Sequence, residues 1–250
     1  MNASENTGGT TPPGTGNEEQ AATWVRQMFS TVAPKYDLLN HLLSFNVDRG
    51  WRRRLLERVQ PVLARPGATA LDLCCGTGDV LLELQEAAAA TAVFGADFCH
   101  PMLVEAERKI AKRGSASRLF ESDALNMPLR AGSVDLVTIA FGFRNLANYT
   151  AGLRELLRVL KPRGMVAILE FSHPRGVLLS ASYGFYSNVL LPLVGAAMSG
   201  SREAYTYLPD SIRKFPRAEE LAGMMRDAGF HDVSYELLTG GIAALHIGRK

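Results

Sequence analysis

The sequence predicts an α/β fold: a doubly wound, seven-stranded sheet with helices on both faces. Three observations carry this expectation. From Thr69 to Phe171, short β-rich apolar runs alternate with segments of helical period. The first of those runs ends in a glycine pair, Gly76 and Gly78, where open α/β sheets place ligands. Near the end of the chain, two apolar runs follow one another across Gly240 and Gly241, as an antiparallel pair would.

Taken in order, residues 1–19 (MNASENTGGTTPPGTGNEE) are rich in Gly, Thr and Pro and poor in apolar residues, and they are expected to be a disordered tail outside the fold. They have neither the basic leader nor the apolar core of a signal peptide. Residues 20–250 form the expected folded domain, opening with a helical cap over 20–66. In that cap Ala21–Ala33 and Leu38–Leu43 carry apolar residues at helical spacing, and Asp48 is placed to cap a helix running to Leu63. Strands are then expected at ALDLCC, AVFGADF, RLFESDA, VDLVTIAFG and MVAILEF. Helices are expected between them at Asp79–Ala90, Pro101–Arg113 and Tyr149–Leu160. Val233–Leu238 and Ile242–Gly248 complete seven strands.

Composition narrows the function classes. A chain of 250 residues with 47% hydrophobic and 21% charged residues can build one large core, and it has no internal repeat. Twenty-seven basic against 25 acidic residues leave a formal charge of +2, too weak a field to argue for nucleic acid. Cys74, Cys75 and Cys99 show no zinc spacing and point to a reducing, cytoplasmic compartment. The Cys74–Cys75 pair reads as strand-end packing in preference to a redox couple.

The stretch LDLCCGTGDV (Leu71–Val80) has Leu81 where the dinucleotide fingerprint wants a third glycine, and there is no GKS or GKT, so a pyrophosphate is disfavoured. Asp97 ends the second strand 21 residues after Gly76, placed to accept the hydroxyls of a ribose. Asp72, just before the glycines, would repel a phosphate and attract an ammonium group. S-adenosylmethionine meets both requirements. Asp123 and Ala124, after the third strand, are candidates for reading adenine, with a turn aspartate as the alternative for Asp123.

Longer motifs are more specific. YDLLNHLLSFNVDRGW (Tyr36–Trp51), CCGTGD, AFGFRN (Ala140–Asn145), RVLKPRGMVAILEFS (Arg158–Ser172), YLPDSIRKFP (Tyr207–Pro216) and GGIAALHIG are spread along a match that covers about residues 21–250. In these motifs the chain resembles the ubiquinone/menaquinone biosynthesis C-methyltransferases. The resemblance implies a class I, Rossmann-like, S-adenosylmethionine-dependent enzyme that methylates a ring carbon of a polyprenylated quinol. It carries cofactor contacts onto Thr77, Asp97, Asp123 and Ala124, beside Asp72, Gly76 and Gly78. Three positions depart from the family pattern: Ala140 stands where a serine is frequent, Asp48 where the first signature has histidine, and Arg163 where the second has glycine. The Cys74–Cys75 pair leans towards the menaquinone branch, so the expected reaction converts demethylmenaquinol to menaquinol. Methylation of a methoxy polyprenyl benzoquinol in ubiquinone synthesis is the alternative.

Methylating a ring carbon requires a quinol that has lost a hydroxyl proton. Arg144 and Asn145, after the fourth strand, are the expected catalytic pair, Arg144 to stabilise the oxyanion and Asn145 to orient it; an ion pair of Arg144 with Glu170 is the structural alternative. His173 is the best-placed histidine for a base, although a surface turn before Pro174 explains it equally well. Residues 176–201 carry no charge and are read as part of an apolar lid over 175–215 for the prenyl tail, in preference to a membrane span. Arg49, Arg52, Arg53, Arg54 and Arg58 are candidates for anionic headgroups, with a solvated helix face as the alternative. The partners expected are thus a quinol, the inner face of the cytoplasmic membrane by peripheral contact, no nucleic acid, and a second copy in a homodimer. A nicotinamide oxidoreductase and a non-catalytic quinone binder are the rival functions.

Overall fold

Seven strands form one sheet in the order β3-β2-β1-β4-β5-β7-β6. The computed structural model describes residues 8–36, 46–88, 91–175 and 202–250. The strands are β1 (Thr69–Leu73), β2 (Ala92–Asp97), β3 (Arg118–Glu121), β4 (Val134–Ala140), β5 (Leu160–Phe171), β6 (His231–Leu238) and β7 (Ala243–Arg249). The first five pair in parallel, and β7 runs antiparallel to both β5 and β6. Each expected strand is present. The helices are α1 (Glu18–Val32), α2 (Val47–Leu63), α3 (Asp79–Ala87), α4 (His100–Arg113), α5 (Tyr149–Val159), α6 (Arg202–Lys214) and α7 (Ala218–Asp227), among the described residues.

Period-two alternation assigns the two faces. Leu71, Leu73, Val137 and Ile139 pack with Leu153 and Leu156 of α5 and Leu221 of α7. Ala70, Leu136, Ala167 and Leu169 pack on the other face with Leu55 and Val59 of α2 and Leu81 and Leu84 of α3. With both faces covered, the parallel strands read as continuous apolar runs. Strand order reverses between β1 and β4, so a crevice opens at the carboxyl ends of these strands.

Three features differ from the sequence-based expectations. Residues 8–19 belong to the fold: Thr10 N donates to Leu146 O at 2.8 Å, Tyr149 N donates to Gly8 O at 2.8 Å, and Asn17 Oδ1 caps α1 by accepting from Gln20 N. The glycine content that reads as disorder serves close approach here, since a Cβ on Gly9 would lie 2.0 Å from Ala147 O. Asp48 does not cap α2; Asn46 is the N-cap residue, and Asp48 pairs instead with Arg52 one turn on, at 2.6 Å. Among the described residues of the expected N-terminal cap, α1 and the 3-10 turn after it lie over the crevice side, α1 against α4 and α6, whereas α2 packs on α3, β4 and β5 as part of the helical layer. The expected helix at Leu38–Leu43 and the apolar stretch 176–201 lie outside the described residues.

Near the start of β5, where its pairing with β4 shifts register, Arg163 has φ 64°. A side chain costs about 1–2 kcal/mol in that left-handed region, and glycine adopts it freely. Arg163→Gly, which restores the residue the family pattern favours, is therefore expected to raise stability by about 0.5–1 kcal/mol. Urea unfolding measures this, and a clear loss of stability would contradict it.

Candidate active site

After Leu73 the chain leaves β1 through a tight loop in which Cys74, Gly76 and Gly78 have φ of 55°, 54° and 84°. Cys74 holds this conformation without being glycine because it interlocks with the loop after β4: a Cβ on Gly142 would lie 2.4 Å from Cys74 Cβ. The loop is tied to β2 by Asp97, whose Oδ2 accepts from Gly76 N and whose Oδ1 accepts from Cys99 N, both at 2.9 Å. Cys75 N adds a bond to Ala96 O at 3.0 Å.

Above these loops lies an open cleft of about 720 Å³, counting the solvent at its mouth. Cys74, Gly76, Asp97 and Phe98 form one side, Ser122 to Leu125 the end of β3, and Ala140, Phe141, Gly142 and Asn145 the end of β4. Ala22 and Phe29 of α1, with Tyr36, roof it. The described lining contains two carboxylates, Asp97 and Asp123, and no lysine, arginine or histidine. Such a wall suits a cationic or neutral ligand and disfavours a pyrophosphate.

The structure thus divides the sequence-based candidates. Gly76, Asp97, Asp123, Ala124 and Asn145 meet at the cleft, while Asp72, Thr77, Gly78 and Arg144 do not line it. Gly78 is needed for packing, because a Cβ there would lie 3.2 Å from Ala106 Cβ of α4. Thr77 Oγ1 accepts from Lys109 Nζ at 3.0 Å, on the α4 side of the loop. Asp72 shares its sheet face with Ala70 and lies next to Thr138, whose hydroxyl donates to Oδ1 at 2.7 Å; Oδ2 is buried without a hydrogen-bond partner. Asp123 Oδ1 accepts from Leu125 N at 2.8 Å, the turn alternative, and the residue still faces the cleft. Ala140 lines the cleft without a hydroxyl to offer.

The expected catalytic pair is split in the same way. Arg144, in the 3-10 turn Phe143–Asn145, donates through Nη1 to Glu170 Oε1 at 2.8 Å and through its backbone N to Glu170 Oε2 at 3.1 Å. It also lies over the Phe171 ring at 5.3 Å. Burial disfavours the guanidinium charge, but the facing Glu170 carboxylate outweighs that and keeps it cationic. Asn145 stands on the cleft wall, and its Oδ1 accepts from Tyr207 OH at 3.0 Å.

His173 is not free to act as a base at the cleft: its Nε2 is bonded to Phe215 O at 2.9 Å, outside the lining. His246, buried in β7, is bonded to Ala218 O at 2.9 Å and stacks on Tyr235. The basic group on α2 also divides. Arg52 is buried against Asp48, Asp79 and Glu83, and Arg54 and Arg58 pair with Glu236, which leaves Arg49 and Arg53 exposed. Among the wall residues that sequence reasoning left without a site role, three stand out: Cys74, Phe141 (φ 58°) and Tyr36. All three lie in motifs already singled out, but their roles depend on backbone conformation and on α1, which spacing does not reveal.

Burial pushes the Asp97 carboxyl up to about 6 despite the two N–H donors, and burial pushes Asp72 up to about 7 against the opposing Thr138 hydroxyl. Burial likewise raises the Cys74 and Cys75 thiols, which disfavours a reactive thiolate pair. Both carboxyl shifts are upward, so the stabilisation they give is full below the ordinary carboxylate range and is lost as pH rises through about 6 and about 7. Asp72→Asn removes one of these groups while keeping an acceptor for Thr138. Its unfolding temperature relative to the parent is expected to be higher at pH 8 than at pH 5, and a pH-independent difference in thermal melts would contradict this. Arg144→Ala is expected to cost about 3–5 kcal/mol in urea unfolding, because it strands a buried Glu170. A cost below about 1 kcal/mol would mean the pair is not the buried one described.

Comparison with known proteins agrees with this geometry. A model of the ubiE/COQ5 methyltransferase family matches residues 15–250. A demethylmenaquinone methyltransferase of Thermus thermophilus is 49% identical over 223 residues, 89% of this chain and 100% of that protein. One from Deinococcus radiodurans is 44% identical over 95% of this chain and 97% of its own. Among solved structures, a SAM-dependent methyltransferase from Aquifex aeolicus aligns with a TM-score of 0.56 at 21% identity, covering 77% of this chain and 88% of that one, and so shares the fold. With a seven-stranded sheet, a cleft at its switch point and a family match over nearly its whole length, the chain belongs to the ubiE/COQ5 methyltransferase family.

Proposed function

We propose that the protein transfers the methyl group of S-adenosylmethionine to a ring carbon of demethylmenaquinol, giving menaquinol. The observation that carries the substrate is the identity, at 49% and 44% over almost the whole chain, to proteins named demethylmenaquinone methyltransferase. The cleft supports the co-substrate. It offers a buried carboxylate at Asp97, a glycine at Gly76 whose Cβ position meets only Tyr36 at 3.9 Å, and no cation among its described lining residues.

When bound, S-adenosylmethionine supplies an electrophilic methyl on a sulfonium; the rest falls to this chain's residues. Asp97, its oxygens already oriented by Gly76 N and Cys99 N, keeps lone pairs for the ribose hydroxyls. Asp123 accepts from the adenine amine and the Ala124 amide donates to the ring beside it. Asn145 donates from the cleft wall to a quinol oxygen, where charge develops as the hydroxyl gives its proton to solvent in the open cleft; the ring carbon takes the methyl as the carbon–sulfur bond breaks, then loses its own proton to solvent as the ring regains aromaticity. Arg144 acts from behind the wall: its Nη1 also donates to Phe141 O, so the ion pair with Glu170 holds the loop that carries Asn145. A quinone has no such proton to lose and is not a substrate.

On this reading the protein works in the cytoplasm at the inner face of the membrane, from which a polyprenylated quinol would be delivered; sedimentation with anionic vesicles at low salt tests this contact. No helix among the described residues is long and apolar enough to cross a membrane. The decisive assay is transfer of labelled methyl to a short-chain demethylmenaquinol and, separately, to a methoxy benzoquinol, with the quinones as controls. Label is expected in the naphthoquinol. Its absence there, with S-adenosylmethionine binding intact, would overturn the substrate. Asn145→Ala is expected to lower kcat by about 10²-fold and leave the Kd for S-adenosylmethionine within about twofold; equal losses in both would contradict its role.

A further inference from the structure

Three segments far apart in the sequence meet behind Asn145. Residues 8–11 cross the loop that carries it: besides the Thr10–Leu146 and Gly8–Tyr149 backbone bonds, Lys214 Nζ of α6 donates to Thr11 O at 3.2 Å. Thr10 and Tyr207 are both buried, at 7% and 4% exposure, and Thr10 Oγ1 lies 2.7 Å from Tyr207 OH. The phenol has one hydrogen, and Asn145 Oδ1 takes it at 3.0 Å, so the Thr10 hydroxyl must be the donor to the phenol oxygen. The opposite amide rotamer is disfavoured, because Phe141 O stands 3.5 Å from Nδ2 and a carbonyl oxygen there can face only a donor. Trp24 of α1 holds the Tyr207 ring at a centroid distance of 5.0 Å.

We propose that Thr10 and Tyr207 are positioning residues: the chain Thr10 Oγ1–H to Tyr207 O–H to Asn145 Oδ1 fixes the carboxamide, whose Nδ2 turns one N–H towards Phe141 O and keeps the other for the cleft. The proposal rests on the reading that Asn145 addresses the quinol oxygen. Drawing density from Oδ1 also polarises the amide, which makes its N–H groups better donors to a developing oxyanion. Burial raises the Tyr207 hydroxyl, so it keeps its proton and stays a donor at neutral pH. The relay gives the N-terminal segment a role in the site. It also explains why Gly9, whose Cβ would strike Ala147 O, stands where it does.

The test pairs a spectroscopic readout with kinetics on the full-length protein. In the parent, the Asn145 side-chain amide, assigned by its loss in Asn145→Ala, is expected to give a dispersed, slowly exchanging pair of NMR signals. In Tyr207→Phe, which keeps the ring against Trp24, the pair is expected to move towards free-amide positions and exchange faster. kcat is expected to fall about tenfold, with the Kd for S-adenosylmethionine unchanged. In an Asn145→Ala background, Tyr207→Phe is expected to add nothing. Thr10→Val should lower kcat about threefold and Thr10→Ser restore it; this series stands alone should Tyr207→Phe fail to fold. An unchanged Asn145 amide signal in Tyr207→Phe, or losses that add fully to those of Asn145→Ala, would overturn the relay. Absence of turnover by the parent enzyme would instead overturn the substrate reading, while the amide signal still decides the relay.

Discussion

Both oxygens of Asp97 accept backbone N–H groups, one from the loop after β1 and one from the start of α4, and the cleft depends on that clamp. It fixes Gly76 in a left-handed conformation at the point where strand order reverses, and so sets the floor on which a ligand rests. The interlock of Cys74 with Gly142 then ties the same loop to the end of β4, where Phe141 and Asn145 form the opposite wall. Two hydrogen bonds and one steric interlock thereby register two sides of the site, with Cys74 and Gly142 lying 68 residues apart in the sequence.

Charge is distributed with similar economy. The described walls hold carboxylates beside apolar and neutral polar groups, and Arg144, next in the chain to Asn145, is buried against Glu170 and does not line the cleft. A free arginine there would repel a sulfonium, whereas a neutralised one can organise the Phe141–Asn145 loop without that cost. Burial of Asp72 and Asp97 raises both carboxyls, a strain on the folded state at neutral pH. At Asp97, which lines the cleft, such strain is expected of a carboxylate kept dry for a ligand.

The strands and most helices were legible because period-two and helical patterns report burial directly, and both faces of this sheet are covered. The placement of Asp97, Gly76 and Asp123 at the cleft was legible because strand ends are ligand positions in any sheet of this topology. The side to which Thr77 and Gly78 turn was not legible: the loop gives Cys74 and Gly76 to the cleft and turns the next two residues towards α4. The orientation of Asp72 follows the pleat of its strand, on a face shared with Ala70 and Thr138. The N-terminal segment was illegible because Gly and Thr mark disorder in composition but also permit a backbone to lie flat on another. His173 could not be judged without Phe215, 42 residues away, which holds its ring nitrogen.

The central claim is that the Asp97 carboxylate holds the ribose of S-adenosylmethionine, and titration calorimetry on the parent and on Asp97→Asn tests it most directly. In the parent, affinity is expected to fall as pH drops below about 6, where the carboxyl takes up its proton. Asp97→Asn is expected to bind at least about tenfold more weakly at pH 8, with the fall below pH 6 abolished. Parental affinity in Asp97→Asn, with the same dependence on pH, would contradict the account.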